Sequence, residues 1–189
     1  MRRLHLPNGF SALLLALLAS SSPGFAGSIS PNIWYEFGFD PNHAPSVAGC
    51  QPADPGGVPC RPGIGIVNLD TPPWTFVSLT AVDFTITDGF LAGDSFDVLD
   101  FGVLVGSTPS VPLSGSSCGF DPRICLLDPA MSHASFLLPA GPHSISIFVH
   151  PAQILGEGFF EVVVPEPSSL LLVIASLVWM WRRKSATII

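Results

Sequence analysis

Val82-Asp83-Phe84-Thr85-Ile86-Thr87 and Ser144-Ile145-Ser146-Ile147-Phe148-Val149 decide the fold of this chain. Both alternate apolar and polar residues with a period of two, which puts one face on a core and one in water. Working outward, short apolar or alternating runs recur at 33–37, 74–80, 95–101, 103–105, 134–138 and 159–164, broken by Gly, Pro, Asp and Ser. No helix-period segment stands between them. Eight strands with turn chemistry between them predict an all-β body, an antiparallel β-sandwich or jelly-roll-like fold over residues 27–164. Asp88-Gly89 and Ala92-Gly93-Asp94 read as turns, and Gly115-Ser116-Ser117-Cys118-Gly119 as a flexible loop. Residues 42–63 are too rich in proline for a sheet ladder and predict a long surface loop, either a binding loop or a disulfide-tied ornament.

The two ends follow other rules. Met1-Arg2-Arg3, an apolar stretch over 10–19 and Gly24-Phe25-Ala26 form a basic, apolar and small-residue series. That is a secretory signal peptide over 1–26, cleaved between Ala26 and Gly27. At the other end, Pro165-Glu166-Pro167-Ser168-Ser169 precedes an apolar run over 170–181, closed by Arg182-Arg183-Lys184. Leucine, isoleucine and valine in that run favour membrane insertion by about 2–4 kcal/mol. As a helix from Ser168 it reaches roughly 21 Å, short of a bilayer core of about 30 Å. A short C-terminal transmembrane helix is therefore expected to hold a membrane only by snorkelling and local thinning. Two prolines keep the preceding stretch extended and exposed, which suits cleavage.

Motif, span and basic end together resemble the PEP-CTERM sorting signal of exported Gram-negative bacterial proteins, here residues 165–189 with Pro165, Glu166 and Pro167 as the motif. The resemblance implies an exosortase-type processing enzyme as partner. It also implies a transient stay in the inner membrane, then release to the cell surface or extracellular matrix. Residues 88–106 are similar to the strand–turn–strand stretch of small proteins of that group, and 132–138 and 140–147 to their later strands; the group carries no assigned chemistry.

Charge agrees with export and excludes one partner class. Of seven basic residues, only Arg61 and Arg123 fall within 27–164, against 13 of the 14 acidic ones, so the body carries 2 − 13 = −11. Such a surface repels phosphate backbones, and no nucleic acid partner is expected. Cys50, Cys60, Cys118 and Cys125 all lie in the body and predict disulfides in an oxidising compartment. Four cysteines allow three pairings. The local pairing would close two short loops, worth roughly 2.5–3 kcal/mol each. No Cys-x-x-Cys pair exists, and His133, His143 and His150 lack ligand spacing, so no zinc centre is expected.

Few residues of the body carry a catalytic or ligand-binding pattern. Asp88 and Asp94 are the candidate calcium ligands, sharing one turn-lined end, although aspartates there more often cap turns. Glu36, Glu157 and Glu161 are carboxylates a sugar hydrolase would need, but spacing alone cannot pair them. His133 beside Ser132 or Ser135 is a formal base–nucleophile pair without an orienting acid. Gly-x-Ser-x-Gly and His-Glu-x-x-His are absent. Trp34 and Tyr35 are the candidate sugar contacts, because neighbours in a strand cannot both point inward. The expectation is a non-catalytic exported protein associated with extracellular polysaccharide and needing no cofactor. A lectin-like carbohydrate- or calcium-binding module is the alternative, and a secreted hydrolase the second.

Overall fold

The computed structural model describes residues 27–151 and 153–165. The signal peptide, Ala26, Glu166, Pro167 and the apolar tail lie outside the described residues. Among those described, no helix is long and apolar enough to cross a membrane.

The body is mostly β, built of two sheets. The strands are β1 (Trp34–Phe39), β2 (Ile66–Asn68), β3 (Trp74–Ser78), β4 (Val82–Leu91), β5 (Ser95–Asp100), β6 (Val103–Ser107), β7 (Ser117–Gly119), β8 (His133–Leu138), β9 (Gly141–His150) and β10 (Gly156–Val163). One helix, α1 (Pro122–Leu127), follows β7. The larger sheet runs β2-β1-β10-β4, with β8 and β7 both pairing β4, and the smaller runs β3-β9-β5-β6. Every pairing is antiparallel except β1 with β2.

Alternation places the core. Val82, Phe84 and Ile86 of β4 face inward, and so do Ile145, Ile147 and Val149 of β9. Between the sheets an aromatic group centres on Phe160, whose ring lies 4.9–6.2 Å from those of Tyr35, Phe37, Trp74 and Phe84. The inner face must stay small beside these rings: a Cβ at Gly158 would stand 2.3 Å from Phe37 Cζ.

The outer face of the larger sheet is covered as well, which alternation in single strands does not announce. All six residues of β1 are buried. Over them lies the 42–63 loop, stapled by Cys50–Cys60, and beside it the segment carrying β7 and α1, stapled by Cys118–Cys125. The loop is no loose ornament, since Val47 joins the main core and Gly38 and Ala48 exchange backbone hydrogen bonds. Trp34, Ala92, Cys118, Cys125, Met131 and Phe159 form a second apolar cluster under this roof.

Three local readings change. Asp88-Gly89 is not a turn: both residues stay in β4, opposite Gly158 and Glu157 of β10. Glycine is needed at 89 for packing, because a Cβ there would stand 2.7 Å from Phe159 Cε2. Residues 115–119 are not all loop, since β7 pairs with the end of β4. A helix does occur in the body: Asp121 caps it by accepting the Arg123 N–H at 3.0 Å, and Pro122 occupies its first turn.

Candidate functional site

Three strands and both stapled segments meet over the outer face of β1 and β10, and there the chain gathers its most perturbed acids. Glu157 of β10 stands between Gly38 of β1 and Gly89 of β4. Having glycine on both sides leaves Glu157 unflanked, and Glu36 of β1 approaches on the diagonal. Oxygens of Glu36 and Glu157 and the Sγ of Cys60 all lie within 4.8 Å of one another.

Glu36 is fully buried, and its oxygens and Oε2 of Glu157 meet no hydrogen-bond partner outside the pair itself. Burial, and then the charge of Glu157, push the Glu36 carboxyl up to about 8. Glu157 is also raised by burial. The Arg61 main-chain N–H, donated to Oε1 at 3.0 Å, and the Arg61 charge hold it back. Near neutral pH Glu36 therefore keeps its proton.

Beside Glu157 the surface opens into a small pocket with about 70 Å³ of room for water-sized molecules, lined by Arg61, Phe90, Leu91, Asp94, Gln153 and Leu155 among others. The rings of Phe90 and Phe120 stack at 5.1 Å, and the Arg61 guanidinium lies 4.6 Å from the centre of Phe90. Phe90 holds a left-handed backbone, φ 63°, at the bulge that ends the regular β4 ladder. A bulky residue in that region is unusual, and such strain gathers at sites that aim a side chain.

Asp88 and Asp94 are brought together at the adjoining end, both buried. Asp88 accepts N–H donors from Gly89, Gly93 and Asp94 at 2.9–3.1 Å, which locks the turn into β5. Burial and the Asp94 charge still raise its carboxyl to about 8 against those three donors. A calcium ion takes about six to eight oxygens. Among the described residues no third acidic, histidine or cysteine side chain joins these two in a metal-sized group, and the turn-lock role accounts for Asp88.

The remaining expectations resolve individually. Cys50 pairs with Cys60 and Cys118 with Cys125, the local pairing. Trp34 and Tyr35 do point to opposite faces, but both faces are covered, leaving them 5% and 6% exposed. The sugar-contact expectation is corrected accordingly: Trp34 packs under the roof, Tyr35 in the main core, and neither keeps a ring face for a ligand. Ser132, His133 and Ser135 form no base–nucleophile pair. Ser132 Oγ donates to the Pro109 carbonyl, Ser135 bonds Thr85, and His133 Nδ1 bonds the Met131 carbonyl. Glu36 and Glu157 are as close as a retaining pair, about 5 Å apart, but Glu36 is sealed and no sugar fits between them. Glu161 stands apart, raised by burial and eased by Arg123.

Gly27 is buried, its carbonyl accepting the Thr75 N–H at 2.7 Å, and Pro165 is exposed just past β10. Compared with family models, curated proteins and solved structures, the chain matches none.

Proposed function

We propose that this chain is an exported, non-catalytic surface or matrix protein. Its β-sandwich body is carried to the cell envelope by a cleaved leader and sorted by an exosortase-type enzyme acting at Pro165-Glu166-Pro167. The inner membrane is a transient station, and extracellular polysaccharide is the neighbour it acts among. The observation that carries this reading is the pair of local disulfides roofing a body with only two basic residues. Such bonds belong to oxidising compartments. The ends of the fold suit it too. A cut before Gly27 spares the bond to Thr75, and a cut at the Pro-Glu-Pro stretch falls outside β10.

Intact mass of the protein recovered from the native host tests this. The expected product begins at Gly27, ends at or near the Pro-Glu-Pro motif, and lacks four hydrogens for two disulfides. The full chain recovered from the cytoplasm with free thiols overturns it.

A lectin-like reading is favoured by one feature, the pocket lined by Phe90, Arg61, Glu157 and Asp94. Aromatic faces with a few polar groups are what a sugar site needs. Saturable binding on a glycan array, lost in Phe90→Ala and kept in Trp34→Ala, would support it.

A further inference from the structure

The 42–63 loop seats its disulfide directly on the two acids. Sulfur can rest there because β1 has glycine at 38, where a Cβ would stand 3.1 Å from Cys60 Sγ. Cys50 Sγ, bonded to Cys60, is held 3.4 Å from the Glu36 carbonyl. Glu157 has one oxygen engaged by the Arg61 N–H, which leaves Oε2 turned toward the group without a partner. Glu36 is wholly buried with both oxygens unpartnered. Buried polar atoms in folded proteins nearly always find a partner, and these three carboxyl oxygens find none outside the Glu36–Glu157 pair itself, beside a sulfur pair.

We propose that reduction of the Cys50–Cys60 bond turns this group into a closed four-ligand site for a zinc-type divalent cation. The ligands are the two thiolates and one oxygen each from Glu36 and Glu157. Zinc takes four ligands tetrahedrally, with sulfur at about 2.3 Å and carboxylate oxygen at about 2.0–2.2 Å. Ligand atoms in such a shell stand roughly 3.3–3.8 Å apart, so the oxygens of Glu36 and Glu157 and Cys60 Sγ, now within 4.8 Å of one another, need only a small inward shift, while Cys50 Sγ must part from Cys60 as the bond opens. Thiolates favour zinc over calcium or magnesium. The Arg61 N–H on Glu157 Oε1 is the kind of outer contact that aims a ligating carboxylate.

While the disulfide stands, the sulfurs carry no charge and offer no thiolate to an ion. A dithiol delivers two electrons and two protons to the bond, becoming a disulfide itself and leaving two thiols. Metal entry then displaces the protons of both thiols, as thiolate ligation requires. The bond and the ion are thus exclusive occupants of one place: the bond closes the loop on itself, whereas the ion would tie it to β1 and β10. This holds whether or not the chain is exported.

Cobalt(II) tests it by colour. In the protein spanning residues 27–165, Co²⁺ should be taken up at one ion per chain after dithiol treatment, with the sulfur-to-cobalt and visible bands of a tetrahedral thiolate site. The disulfide-intact protein should show neither. Glu36→Gln should weaken binding by about tenfold or more, beyond what loss of an outer contact does, and Cys60→Ser should abolish the sulfur band. The double variant Cys118→Ser with Cys125→Ser should keep the full signal. If the reduced chain loses its β circular dichroism, Co²⁺ must restore it, because ion binding would then drive folding. No uptake, no restoration, or an unchanged signal in Glu36→Gln or Cys60→Ser overturns the proposal.

Discussion

Replacing Glu36 by Gln separates the charge of this buried group from its shape. In the folded protein the carboxyl is raised from 4.5 to about 8, chiefly by burial. Over that interval the unfolded chain has released a proton that the folded chain keeps, so stability falls as pH rises. The penalty is absent below about 4.5 and complete above about 8. Each unit is worth about 1.4 kcal/mol, which sets the full cost at about 3–5 kcal/mol. Glutamine never ionises, and its amide can donate to the orphan Oε2 of Glu157. Urea unfolding of both proteins should give stabilities within about 1 kcal/mol near pH 4.5, the variant gaining steadily to about 3 kcal/mol or more near pH 8. Asp88, raised in the same direction, contributes equally to both and cancels in the difference. Parallel stability curves across this range would falsify the assignment of the proton to Glu36.

Two other substitutions check the frame around the site. Asp88→Ala strands the N–H groups of Gly89, Gly93 and Asp94, at a cost of about 2–4 kcal/mol. Asp88→Asn, which keeps one acceptor oxygen, should lose less, and equal melting of the two in calorimetry refutes the turn-lock role. Trp34→Ala should destabilise by about 3–5 kcal/mol, as expected for truncating a buried aromatic. A melting temperature like that of the unaltered protein would mean that the roof does not close over it.

What could be read from sequence follows from where periodicity survives. The strands containing 82–87 and 144–149 show it plainly: in β9 one side meets the core and the other stays partly wet, while in β4 the outward Thr85 and Thr87 are covered and the alternation survives only in residue type. All eight runs read as strands lie on strands. The short β2, β7 and α1 carry too few residues to show any period, and α1 is signalled only by Asp121-Pro122. Asp88-Gly89 has turn chemistry but lies in a ladder that continues past it, where glycine is needed to clear Phe159. The Glu36–Glu157 pair was invisible for a different reason: its members come from the first and last strands, and only their register brings them together.

Trp34 and Tyr35 show why composition could not decide exposure. Opposite faces of a strand imply one wet side only if the sheet has a free side, and here both stapled segments lie on it. The cysteines therefore do more than limit the unfolded chain. By fixing two irregular segments over β1 and β10 they turn an outer face into a second interior, and acids placed there lose their water. A sheet left open on that side would hold Glu36 as an ordinary surface carboxylate. It is the roof that makes it a proton holder.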